Sequence, residues 1–148
     1  MLDIAKKISN ICKNKNIILG ARITGKDWLK GGIDLNDSIY LSNELKKLGF
    51  DYVCVSSGGI KTITNLNVNS KFNVNIAKKI KLKSSILTRV AGNIKNISDA
   101  KNIIKKKNAD LVAFARPFLN NPNFLYKEKK KKDRNINIPK PYLRGFIT

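Results

Sequence analysis

The chain has 148 residues, a formal charge of +20 at pH 7, 42% hydrophobic residues and no histidine. That length and apolar content suit one globular domain with a real core rather than a disordered chain. The missing imidazole excludes histidine-based triads and the commonest metal sites from these residues.

The N-terminal "MLDIAKKISNICKNK" alternates apolar and basic residues. It lacks the apolar core and small-residue cleavage site of a secretory signal. No apolar run approaches the roughly 18 residues of a membrane span, so a cytoplasmic location is expected. Four apolar runs then read as buried parallel strands: "NIILGARI" (16–23), "DYVCVS" (51–56), "SILTRVA" (85–91) and "DLVAFA" (110–115). Between them Leu35, Ile39, Leu41, Leu45 and Leu48 form a helical stripe, capped by Asp34 or Asn36 and closed by Gly49. A shorter helix is expected around 73–83. A third carries Ile97, Ala100, Ile103 and Ile104 and is capped near Asn96 or Ser98. "GFDYVCVS" and "NADLVAFA" repeat one device, an aspartate just before an apolar strand. Alternating strands and helices predict parallel pairing and an α/β fold.

The charge has two explanations. A nucleic-acid binder gathers its cations on one face among stacking aromatics. Here lysine is scattered through nearly every segment beside heavy Asn and Ile usage. Those residues share A/T-rich codons, so genome composition accounts for the charge as well as a partner does. Nucleic acid is the alternative partner and not the expected one. Cys12 and Cys54 share no metal-ligand spacing and are expected to be buried thiols rather than a disulfide.

The loops are unequal. Helix-to-strand connections are short, whereas "TGKDWLKGGIDLN" and "SGGIKTITNLNVNSKFN" follow strands and are rich in Gly, Ser and Asn. Ligand sites in α/β proteins sit on such loops, at the C-terminal ends of strands. The third run ends in Ala91-Gly92-Asn93, where a glycine permits close backbone approach. The fourth delivers Arg116 at its tip, followed by Pro117 at a helix start. Two such tips offer backbone N–H groups and a guanidinium to an anion. The bland alternative for Arg116 is an ion pair with a nearby carboxylate. Arg22, inside an apolar strand, needs an anionic or acceptor-rich neighbour, either a ligand or Asp27 or Asp51. Ser56-Ser57-Gly58-Gly59 is a weaker signal for ligand contact, and Trp28 reads as loop packing.

The ordered motifs "GARITGKDW", "GGIDLNDSIYLSNELKKLGFDYVCVSSGG", "VAGNI", "ADLVAFARPFLNNP" and "PYLRGF" resemble the C-terminal half of the Old Yellow Enzyme family. These are FMN-dependent NAD(P)H oxidoreductases and ene-reductases. The resemblance implies an α/β fold, a partial TIM (β/α)8 barrel: the last four strand–helix units over residues 1–132, then an extended C-terminal arm over 133–148. It implies FMN as cofactor and NAD(P)H as electron donor, with hydride passing through the flavin to an activated alkene or similar acceptor. Arg22 would face the flavin ring on its N1/C2-carbonyl side. Gly92, Ala115 and Arg116 would hold the FMN phosphate, with Ala115 where many relatives have glycine. Arg144 would reach substrate in a neighbouring subunit, as in one branch of the family. The family's first half supplies further flavin contacts, the His/Asn or His/His pair that binds substrate and usually a proton-donor tyrosine. None of these has a match here, so no catalytic residue is assigned and the isolated chain is expected to be inactive. A separate chain supplying the first half, self-association, or a non-functional truncated fragment are the open alternatives.

Overall fold

The structure is a computed structural model that describes residues 1–58, 72–130 and 140–141. The expected arm at 133–148, Arg144 included, lies outside the described residues apart from Lys140 and Pro141. Among the described residues ten elements follow in chain order: α1 (Leu2–Lys13), β1 (Gly20–Thr24), α2 (Leu35–Lys47), β2 (Tyr52–Ser56), α3 (Phe72–Ser84), β3 (Leu87–Ala91), α4 (Ile97–Lys105), β4 (Leu111–Ala113), α5 (Arg116–Asn120) and α6 (Phe124–Lys130). The strands form one sheet in the order β1-β2-β3-β4, every pair parallel. This is part of a (β/α)8 barrel, with its helices on the outer face.

Local chemistry sets the boundaries. Asp34 caps α2 by accepting from the N–H groups of Asn36 and Asp37 at 2.7 and 3.0 Å, while Asp37 accepts from the Asp34 N–H at 2.9 Å. This reciprocal pair satisfies donors that the helix start leaves free. At the other end Gly49 takes φ +88°, a left-handed conformation open to glycine, and the Phe50 N–H reaches back to Leu45. Asn96 caps α4 by accepting from the Asp99 N–H at 2.8 Å.

The repeated aspartates have a shared structural use. Asp51 accepts from the Leu19 N–H at 2.7 Å, and Asp110 accepts from the Thr88 N–H at 2.9 Å. Each ties the start of its strand to the neighbour before it in the sheet. Asp110 also pairs with Lys81 at 2.6 Å, which joins α3 to β4.

The core lies between the sheet and the outer helices. Val53, Val55 and Val90 are fully enclosed, packed with Leu45 of α2, Ile76, Ala77 and Ile80 of α3, and Ile103 of α4. The alternate strand residues point to the other face, where Leu87 and Leu111 are exposed and Cys54 is buried.

Two features differ from the sequence-based expectations. The ordered strands are shorter than the apolar runs, because the flanking residues serve as turns and strand ends. The N-terminal segment is a helix, α1, fixed by the Ser9 hydroxyl donating to the Leu48 carbonyl. Its inward residues are Leu2, Ala5 and Ser9, while Ile4, Ile8 and Ile11 are exposed. The inward stripe is thus only weakly apolar, and the helically spaced Ile4, Ile8 and Ile11 lie on the other side.

Candidate functional site

The C-terminal ends of β1, β3 and β4 border a cavity of about 610 Å³, with a recess of about 380 Å³ beside it. Arg22, Gly92, Ala115 and Arg116, all expected from the sequence, line the larger cavity together. The fifth expected residue, Arg144, lies outside the described residues.

Arg22 projects from β1, and its Nε donates to Ser56 Oγ at 3.2 Å. Ser56 in turn donates to the Ile23 carbonyl at 3.3 Å, so this hydroxyl orients the guanidinium. The alternative pairing with Asp27 or Asp51 is not made. Asp27 Oδ2 accepts from the Ile33 N–H at 2.8 Å, and Asp51 accepts from Leu19.

Gly92 ends β3 with φ +117°. A Cβ built there would lie 2.5 Å from Asn73 Nδ2, which donates to the Ala91 carbonyl at 2.7 Å. The position therefore needs glycine for both conformation and space. At the next tip Ala115 precedes α5, and Pro117 stands in that helix's first turn. Arg116 donates to Asn93 Oδ1 at 3.4 Å, a long contact between neutral acceptor and cation. Its carboxylate alternative is also unmet: the ion pairs among the described residues are Lys47–Glu44 and Lys81–Asp110. Behind the tip, Phe114, Phe118 and Phe124 pack edge to face with ring centroids 5.3 to 6.4 Å apart. This cluster anchors α5 and α6 to β4 and fixes where Arg116 begins.

Sequence reasoning missed several lining residues. Arg89, Lys95, Asn93 and Cys54 border the cavity with Arg22 and Arg116. Four cations, and no aspartate or glutamate, therefore line one concavity. Arg22, Cys54, Arg89 and Leu111 occupy one register row across the four strands. Strand alternation carried the signal for Arg89, two residues before Ala91, but only the register shows which face it takes. Trp28 packs edge-on against Phe72 at 5.7 Å under Lys26, which agrees with loop packing. Both cysteines are free; Cys54 is buried as expected, whereas Cys12, in α1, is only partly so. Among the described residues no helix is long and apolar enough to cross a membrane.

A cation-lined concavity at the carboxyl ends of parallel strands stands where α/β barrel proteins present their ligand sites. The chain belongs to the NADH:flavin oxidoreductase / NADH oxidase family, which matches residues 1–135. It is similar to the NADPH dehydrogenase of Clostridium acetobutylicum, 36% identical over 135 residues, which covers 90% of this chain and 39% of that protein. The NADPH dehydrogenase of Bacillus subtilis is 30% identical over 128 residues, covering 86% and 38%. That of Listeria monocytogenes is 28% identical over 144 residues, covering 97% and 41%. The chain thus spans about two fifths of the length of these relatives. The fold is similar to that of 2-naphthoyl-CoA reductase in complex with 2-naphthoyl-CoA, with a TM-score of 0.68 at 16% identity, covering 88% of this chain and 20% of that one. Histamine dehydrogenase from Rhizobium sp. 4-9 gives 0.67 at 15% identity, covering 87% and 19%.

Proposed function

We propose that these residues form the phosphate-holding and ring-facing part of an FMN site in an NAD(P)H-dependent oxidoreductase of the ene-reductase type. The observation that carries this reading is the cavity itself, lined by four cations without a carboxylate, beside a glycine whose Cβ would collide with Asn73. The donor set fits a phosphomonoester. Arg116 offers a guanidinium, and Gly92 and Ala115 offer backbone approach from two adjacent strand tips. Arg22, oriented by Ser56, offers a fixed positive charge to an electron-rich ring edge. Bound there, FMN would supply two-electron redox chemistry between NAD(P)H and an acceptor, while the protein binds and orients it. Arg144 is proposed, from its motif alone, to contact substrate in a neighbouring subunit. A cytoplasmic location goes with this reading.

Full activity is proposed to need strands from outside these residues. Among the described residues the sheet has four strands, and Leu87 and Leu111 on its inner face are exposed. Alone, the chain is expected to bind FMN weakly and turn over negligibly.

An FMN titration followed by flavin fluorescence tests the reading. Saturable binding is expected, weakened about tenfold or more in Arg116→Ala, since a charge-assisted contact contributes about 1.5–3 kcal/mol. A folded sample that shows no saturable binding overturns it.

A further inference from the structure

The cations that line the cavity stand at two depths. Arg116 lies at a strand tip with Gly92 and Ala115, and Lys95 follows just beyond Gly92. Arg22 and Arg89 stand further back, in one register row with Cys54 between them. Arg89 is two residues before Ala91, the end of β3, a setback of about 7 Å along an extended strand. Two strand spacings separate the Arg22 and Arg89 backbones, about 10 Å, and both side chains border the same cavity.

Arg89 has no part in the fold that accounts for its charge. It is half-buried and makes no hydrogen bond or ion pair among the described residues. Its guanidinium stays charged at any ordinary pH. No aspartate or glutamate lines the cavity, so the cavity's ligand is what Arg89 has to meet. A phosphomonoester at the tips leaves the deeper pair to the rest of that ligand.

On the FMN reading, the rest is the ring. An oxidised ring is neutral and gains little from a second cation. Accepting a hydride, two electrons with one proton, leaves the ring one negative charge, while NAD(P)H leaves as the oxidised NAD(P) cation. Positive charge fixed beside the ring favours that reduced form, and partial burial limits its screening by salt.

We propose that Arg89 joins Arg22 as a second ring-facing cation, so that the site holds reduced FMN more tightly than oxidised FMN. This rests on the FMN reading and assigns a cation that it left without a role. Arg89 acts as a charge and not as a group that moves a proton.

Wild type, Arg89→Gln and Arg89→Lys are titrated by calorimetry with oxidised FMN and, without oxygen, with dithionite-reduced FMN. Glutamine keeps a donor without the charge, and lysine keeps the charge without the fork. Wild type is expected to hold reduced FMN about tenfold more tightly, equivalent to about 30 mV in the potential of the bound flavin. Arg89→Gln should lose about fivefold or more of that preference, with its affinity for oxidised FMN changed less than about twofold. Arg89→Lys should keep the preference. Inorganic phosphate as a competitor tests the depth: Arg116→Ala should weaken it, and Arg89→Gln should not. Circular dichroism establishes that each variant keeps its helices. If Arg89→Gln does not, Arg89→Met takes its place, since it removes the charge and keeps the apolar stem. A preference that survives loss of the Arg89 charge overturns the proposal. So does equal weakening of both redox forms, and loss of phosphate binding beside it would put Arg89 on the phosphate. Wild type that binds both forms equally overturns the proposal and leaves the FMN site standing. A folded wild type that binds neither form removes the reading on which it rests.

Discussion

Asn73 Nδ2 donates to the Ala91 carbonyl at 2.7 Å, and the same nitrogen fills the space a side chain at position 92 would need. One amide thus fixes the end of β3 and keeps its tip bare. Gly92→Ala is expected to destabilise the fold by about 1–3 kcal/mol through the positive φ and the crowding. It should also weaken FMN binding. Adding Asn73→Ala relieves the crowding and not the φ strain, so the double variant should cost less than the sum of the singles. Urea denaturation of the four chains of the cycle checks this.

Ser56 holds the Arg22 guanidinium while the rest of that side chain stands in the cavity. Ser56→Ala leaves the charge in place and frees its orientation. FMN affinity should fall about two- to tenfold, the range of one net hydrogen bond. Arg22→Ala should cost more, because it removes the charge as well. Equal losses in the two fluorescence titrations would place the effect in packing and not in orientation.

Asp110 links pH to stability. Burial opposes its ionisation, but the Lys81 ammonium and the Thr88 N–H outweigh that cost and hold its carboxyl below the ordinary 3.8. A folded-state value below the unfolded one stabilises the fold above pH 3.8 and loses that stabilisation as pH falls through the folded value. Asp110→Asn should therefore be less stable at neutral pH by about 1 kcal/mol, the scale of a partly exposed ion pair and hydrogen bond. The gap between variant and wild type should narrow in acid. Urea midpoints at neutral and acid pH measure both.

Ile80 is fully enclosed between α3 and the sheet. Ile80→Ala should cost about 2–5 kcal/mol, the lost transfer free energy plus the cavity left behind. Thermal unfolding by circular dichroism gives the value. FMN binding by the folded fraction should change little, since Ile80 borders neither the cavity nor its recess.

Elements whose ends are set by short-range chemistry were legible in the sequence. The sequence narrowed each N-cap to two residues, of which Asp34 and not Asn36, and Asn96 and not Ser98, cap through their side chains; Gly49 ends a helix through its left-handed backbone, and Asp51 and Asp110 each mark a strand start. These interactions span few residues or repeat a local device, so pattern alone exposes them. The spacing of Ile4, Ile8 and Ile11 is helical, so α1 was legible as a helix though it was not read as one; what the sequence hid is its orientation, because that apolar side is exposed and the core receives Leu2, Ala5 and Ser9.

The same division runs through the site. Residue types at strand tips, Gly92 and Arg116 above all, are readable because a glycine or arginine at the end of an apolar run is anomalous in itself. Which side chains meet is a matter of sheet register, and register joins residues 22 to 35 positions apart. By itself the sequence determined the order of the four strands and of the helices between them, the neighbourhood of their caps and the cationic tips. Only the tertiary structure decided that Arg22 and Arg89 share one row across Cys54, that Asn73 stands behind Gly92, and that neither Arg22 nor Arg116 pairs with a carboxylate among the described residues. Caps and turns are bonds within a few residues of chain, whereas those neighbours exist only once parallel pairing has brought distant strands side by side.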